Sequence, residues 1–194
     1  MRTNPLGSAK GGFTLIELLT VITIIMILVG MIIGIASLVQ QKQARAAAEA
    51  QIQAMSTAIE SYKVDNAIVP RTSVTDALNS KTSYAPTAYA TASRDLYKAL
   101  SGDVDVDASR TKDSTEKSYF NFKPAMLAPS GGTGAVTAIN DPFGYSYGYS
   151  TAANLQIENG ATVTNGYNPT FDLWSTGGAK DNTSGNVGKW IKNW

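Results

Sequence analysis

In this chain of 194 residues, 16 Lys and Arg stand against 15 Asp and Glu, with no Cys and no His. The two signs stay mixed along the chain, so no basic stripe offers itself to nucleic acid. The missing Cys excludes a disulfide framework, a thiol nucleophile and Cys-ligated metal. The missing His excludes Ser–His and Cys–His hydrolases, because it removes the commonest general base near neutral pH. The composition favours an assembly or surface role, and no enzyme is expected.

Taken in chain order, Arg2 and Lys10 lie in a short polar leader, residues 1–12, that ends in Gly11-Gly12. Phe13-Thr14-Leu15-Ile16 follows, then one acid, Glu17. No charge occurs from Leu18 to Gln41, and the apolar core of that run, Leu18 to Val39, contains no proline. As a helix of about 33 Å, at ~1.5 Å per residue, it could cross a hydrocarbon layer of ~30 Å. The run is longer than the apolar part of a cleaved secretory signal, although Ala44-Arg45-Ala46 offers a small-residue match. A plain single-pass anchor would explain the length but not Glu17. A carboxylate in such a segment is a functional-site hypothesis that needs a named partner. An α-amino group freed by cutting just before Phe13 would supply one.

Gly12-Phe13-Thr14-Leu15-Ile16-Glu17-Leu18-Leu19, after a short basic leader, closely resembles the cleavage and methylation segment of type IV prepilins and type II secretion pseudopilins. The resemblance implies cleavage between Gly12 and Phe13 by a membrane prepilin peptidase, with N-methylation of Phe13. It also implies that Glu17 pairs with the Phe13 amine of a neighbouring subunit during assembly. Many members carry a proline midway along the apolar helix; here Gly30 and Gly34 stand in that region, suited to local softening or to close helix packing.

Beyond Val39 the pattern becomes amphipathic. Ala48, Ile52, Met55, Ile59 and Tyr62 follow 4-3-4-3 spacing, while Gln51, Gln53, Glu60 and Lys63 take the opposite face. Asp65-Asn66 ends the run before Pro70. Residues 71–93 read as an exposed connection with room for a helical turn, and Asp95–Leu100 as a short helix closed by Gly102. Strands are expected at Ser118–Phe122, Tyr145–Tyr149, Leu155–Ile157 and Phe171–Trp174. Turns are expected at Pro129–Gly132, Asp141-Pro142 and Asn159-Gly160. The expected fold class is therefore α+β: a long N-terminal helix, transmembrane then amphipathic, packed against a small antiparallel sheet. Its segments are a leader (1–12), a membrane and filament-core helix (13–39), the amphipathic half of the helix (40–70) and a globular head (71–194). Asp141-Pro142-Phe143-Gly144-Tyr145, Phe171-Asp172-Leu173-Trp174-Ser175 and the closing Asn193-Trp194 also resemble segments of type II major pseudopilins.

Four further patterns carry chemistry elsewhere. Gly144-Tyr145-Ser146-Tyr147-Gly148 fits the hydrolase elbow, which needs a histidine base that this chain lacks. Asp103-x-Asp105-x-Asp107 starts like an EF-hand loop. Ala108 and Ser114 then stand where glycine and the bidentate glutamate belong, so a solvated acidic loop is the expectation. The resemblance to major pseudopilins makes calcium a candidate cofactor of the C-terminal loop. Only Asp172 and Asp181 offer carboxylates there, with Lys180 and Lys189 opposing, and an aromatic-packed loop around Trp174, Trp190 and Trp194 is the rival expectation. Asn182-Thr183-Ser184 fits a glycosylation triplet that arises readily by chance.

The resemblance as a whole implies a subunit of a homo-oligomeric filament, most like the major pseudopilin that drives protein export by type II secretion. The expected site is the bacterial inner membrane, single-pass, with the head in the periplasm. Implied partners are further copies of the chain, minor pseudopilins or pilins, the prepilin peptidase and the assembly platform protein, with no nucleic acid. The alternatives are a surface pilin for adhesion or motility, located extracellularly, and a membrane-anchored ectodomain of other function.

Overall fold

The computed structural model describes residues 12–179 and 184–194, and the side chains of these except at 32–37, 184 and 185. The chain divides into two units, Met1–Lys42 and Gln43–Trp194. Helix α1, Leu15–Asn66, contributes its first part to one unit and its last part to the other. Among the described residues of the first unit the large apolar side chains stand open: Phe13 is 87% exposed, and Ile22 still 44%. An ordinary core helix hides one stripe; a helix apolar all round requires an apolar environment.

In the second unit α1 does hide a stripe. Ala48, Ile52, Met55 and Ile59 are buried at the spacing expected from the sequence, with Ala58 beside them, while Tyr62, the last of the expected stripe, is half-buried. At its end the Asn66 amide returns to the Tyr62 carbonyl (2.9 Å), and Ala67 turns the chain out with φ +63°. Helix α2, Ser73–Ala77, starts on a capping box between Thr72 and Thr75, which is the helical turn expected within 71–93. A 3-10 turn at Pro86–Tyr89 leads into α3, Ala90–Ser101, which begins earlier than the expected Asp95. Gly102 closes α3 in the left-handed conformation (φ +77°), its N–H donating to the Lys98 carbonyl.

Two small antiparallel sheets complete the unit. Strands β1 (Leu127–Ala128) and β2 (Ala138–Ile139) pair, and β3 (Gly148–Ser150), β4 (Asp172–Ser175) and β5 (Ile191–Lys192) form a sheet in that order. Helix α4, Ala152–Glu158, connects β3 towards β4. α3 lies against β2 and β3. Ser93 fixes the α3–β2 contact by accepting from the Ile139 N–H (2.9 Å) and donating to its carbonyl (3.2 Å). The architecture is α+β with a long N-terminal helix and small antiparallel sheets, consistent with a pilin fold.

Two expected strands are corrected. Leu155–Ile157 lies inside α4, where the Leu155 N–H reaches back to the Thr151 carbonyl (3.1 Å). Three alternating residues are too few to separate a period of two from a helix. Ser118–Phe122 forms no strand either. Its Tyr119 and Phe120 N–H groups both donate to the Leu100 carbonyl at the end of α3 (2.8 and 3.0 Å), so the helix terminus takes the donors a strand partner would have used. The other two expectations hold in part, as β3 occupies 148–150 and β4 occupies 172–175.

Arg71 ties α2 to α4. Its Nε and Nη2 donate to the Asp76 carboxylate (3.1 to 3.2 Å), and its Nη1 donates to Asn154 Oδ1 (3.2 Å) and Glu158. The Asp76 partner is only 17% exposed, so removing the guanidinium strands a largely desolvated carboxylate. Arg71→Ala is expected to lower stability by about 2–3 kcal/mol, read as a shift in the urea midpoint; an effect below ~0.5 kcal/mol would mean that the network contributes no more than a surface pair.

Candidate functional site

The residues that the sequence singles out converge on the start of α1. Gly12 and Phe13 precede the helix and are exposed, and among the described residues, chain neighbours aside, no heavy atom lies within 4 Å of a Cβ built on Gly12. The peptide bond between them lies outside regular structure. Thr14 stands directly before the first helical residue. Its N–H and its hydroxyl each donate to Glu17 Oε2 (2.8 Å), and its Oγ1 accepts from the Glu17 N–H (3.3 Å). This reciprocal arrangement is a capping box, with the acid also at the favourable end of the helix dipole. Thr14 was not among the expected site residues. The signal for it is present as Thr14-x-x-Glu17 ahead of an apolar run.

Glu17 therefore already has a partner within its own chain. Its Oε2 accepts both Thr14 donors, while no hydrogen bond to Oε1 is seen among the described residues. Thr20 and Thr23 return their hydroxyls to the Glu17 and Leu19 carbonyls (2.9 and 2.8 Å), so neither carries an unmet donor into the apolar surface. α1 continues through Gly30. Among the described residues no helix is long and apolar enough to cross a membrane.

The other expected sites are structural in their contacts. Asp172 is buried, and its carboxylate accepts from the Ser80 hydroxyl and from the Tyr167 and Asn168 N–H groups (2.9 and 2.8 Å). Those three donors tie the carboxylate into the surrounding backbone and to Ser80. Its expected companion Asp181 lies outside the described residues, as does most of the Asn182-Thr183-Ser184 triplet. Around Asp172 the C-terminal residues pack as an aromatic cluster: Trp174 stacks on Trp190 (5.8 Å, 6°), and Trp194 stacks on Tyr167 (4.6 Å, 7°). Asn193 holds this end on β4, accepting from the Leu173 N–H (2.8 Å) and donating to its carbonyl (3.1 Å).

Ser146 makes an isolated bridge with Asn140 rather than a strand-to-helix elbow. The turn before it is organised by Asp141, whose Oδ1 accepts from the Phe143 and Tyr145 N–H groups (3.0 and 2.9 Å) and whose Oδ2 accepts from Ser175. Asp103, Asp105 and Asp107 come within 4.8 Å of one another, but Asp103 departs from the expected solvated loop. It is buried, accepting from the Tyr97 hydroxyl (2.7 Å) and the Val106 N–H (2.9 Å).

Burial holds the carboxyls of Asp103 and Asp141 above the usual range, against the hydrogen bonds that lower them. Asp65, beside Lys117, and Asp107, beside Ser109, are held below it. A raised folded pKa means that the folded state takes up a proton before the unfolded state does, so stability falls as pH rises through that window. A lowered pKa acts in the opposite sense, and its contribution is lost as pH falls through the folded value. The melting midpoint is expected to rise as pH is lowered through the raised values of Asp103 and Asp141, then to fall on further acidification through the lowered values of Asp65 and Asp107. A midpoint falling steadily from neutral pH would contradict this.

Residues 7–33 match the family described as the prokaryotic N-terminal methylation motif. That signal is the one carried by type IV pilin-like proteins, and the matched segment includes the capped helix start at Thr14 and Glu17. No curated protein and no solved structure matches the chain.

Proposed function

We propose that this chain is the precursor of a filament subunit that is cut between Gly12 and Phe13, methylated on Phe13 and assembled through its N-terminal helix. The uncharged run from Leu18 to Gln41 would hold the subunit in the bacterial inner membrane before assembly. The same side chains would then pack against those of other copies, exchanging lipid contacts for protein contacts. The observation that carries this reading is a carboxylate one turn into an exposed apolar helix, just past the exposed pair Gly12 and Phe13. Cleavage would create an amine, and a neighbouring copy could present that amine to the free oxygen of Glu17. Opposite charges in an apolar medium attract strongly and are poorly placed apart. Among such filaments, the pseudopilus of type II secretion is the proposed setting, with minor subunits, peptidase and platform protein as partners. The segments that resemble major pseudopilins at 141–145, 171–175 and 193–194 support that choice.

The test is the mass of the N-terminal peptide of the protein isolated from its native membrane. A peptide beginning at methylated Phe13 is expected; an intact leader in all copies would overturn the proposal. Shearing the cells then separates the settings, because a short periplasmic filament releases no long surface fibres.

A further inference from the structure

Arg110, in the second unit, is a half-buried cation held by backbone carbonyls. Its Nε and Nη2 donate to three backbone carbonyls, those of Gly134, Pro129 and Thr133, all at 2.8 Å. Its Nη1 is buried and has no hydrogen-bond partner, and no carboxylate lies within ion-pair distance of the guanidinium among the described residues. Lys112, two residues on, is in the same position: its ammonium donates to the carbonyls of Asp113 and Glu116 (3.0 and 2.7 Å) and pairs with no acid among the described residues. Among the described residues both cations are held only by neutral carbonyls; Lys112 is exposed and Arg110 half-buried, with its Nη1 turned away from solvent.

Both residues line one cavity of about 110 Å³, together with Ser101, Ser118 and Asn121, and no acidic residue contributes to its wall. The Asn121 side chain makes no hydrogen bond among the described residues, and the Ser118 hydroxyl makes only a long one, to the Phe120 carbonyl (3.4 Å). Asp103 accepts from the hydroxyl of Tyr97, a residue of this wall, and does not itself line the space. The space would take roughly three or four waters at ~30 Å³ each, or one tetrahedral oxyanion. It is smaller than the ~300 Å³ at which pockets for whole organic ligands begin.

We propose that this cavity binds a single phosphate or sulfate group. Size limits the occupant to the oxyanion itself, either a free ion or the end group of an ester whose remainder stays outside. Charge selects against neutral ligands, because Arg110 and Lys112 both line the space and no acidic side chain does. Arg and Lys with amide and hydroxyl donors are the groups that recognise such anions. Arg110 also grips the loop between β1 and β2 through three carbonyls, so occupancy would stiffen that loop. The proposal is independent of the filament reading.

The experiment is a thermal melt of the full chain in detergent micelles, titrated with inorganic phosphate and with sulfate at fixed ionic strength, chloride serving as the reference salt. A saturable rise of the midpoint with either oxyanion is expected. Asn121→Asp, at an exposed position, places a carboxylate in the wall. It is expected to raise the midpoint without phosphate and to remove the phosphate response. Lys112→Gln is expected to weaken binding about tenfold. Glycerol phosphate is the second arm: a response equal to that of inorganic phosphate identifies an ester end group as acceptable, and no response identifies the free ion. Oxyanion titrations indistinguishable from chloride, or a phosphate response that survives Asn121→Asp, would overturn the site.

Discussion

Glu17→Val is expected to abolish filament formation while leaving the amount of cleaved, membrane-associated subunit close to that of the parent chain. The substitution makes an apolar segment more apolar, so insertion has no reason to suffer. What it removes is the one anion in the stretch from Phe13 to Gln41. If assembly depends on pairing that anion with the amine of a neighbouring Phe13, each added subunit loses the same interaction. The yield of sheared or purified filament should fall by about tenfold or more. The capping box creates a second explanation that must be separated, because valine also releases Thr14 from both of its hydrogen bonds to Glu17. Glu17→Gln separates the two. An amide oxygen can still accept from the Thr14 N–H and hydroxyl, yet it carries no charge. Failure of both variants assigns the effect to charge; assembly by the Gln variant alone assigns it to the cap. Normal filament yield from Glu17→Val would sink the pairing.

The parts of this protein legible in its sequence are those written as long-range periodicity or as a local motif. The stripe Ala48, Ile52, Met55 and Ile59 is buried as its spacing implies, since many residues agree on one helical period. The Gly12-to-Glu17 segment is readable because its chemistry needs adjacent residue types. The strands were read poorly because each is two to four residues long. β1, β2 and β5 were not foreseen at all. Pairing partners distant in the chain, such as Leu127 with Ile139 or Trp174 with Lys192, hold such strands in place, and no local pattern records that. The same holds for Asp141 and Asp172. Asp141 was expected in a turn and Asp172 as a candidate calcium ligand, but nothing local showed their burial. Each is a buried acceptor for N–H groups within five residues and for one distant serine, Ser175 for Asp141 and Ser80 for Asp172. The Arg110 cavity was illegible for a related reason, because its two cations are defined by the absence of nearby acids in three dimensions.

The largest loss of stability is expected from adding a single methyl group at Gly148. A Cβ there would stand 2.0 to 2.5 Å from three atoms of the Trp174 indole, where no carbon can be accommodated. The glycine is not needed for a left-handed backbone, since it lies in β3 opposite Trp174 in β4; it is needed because the ring lies flat against it. Nor can the ring give way easily. Trp174 is fully buried, stacked on Trp190 on one side and met edge-on by Tyr89 (5.2 Å, 68°) and Trp194 (6.0 Å, 71°). Overpacking of this kind commonly costs 1–3 kcal/mol, and with no flexible neighbour to yield, Gly148→Ala is expected at the top of that range, about 3 kcal/mol. For a chain of this size that is a fall of roughly 10 °C in the melting midpoint. All three tryptophans of the chain, 174, 190 and 194, sit in this cluster, so near-ultraviolet circular dichroism and fluorescence report on it directly. If the clash is the cause, Trp174→Leu should cost less in the Gly148→Ala background than in the parent, because the smaller side chain vacates the space the methyl needs. Strict additivity of the two substitutions would show that Gly148 matters for some reason other than the ring it faces.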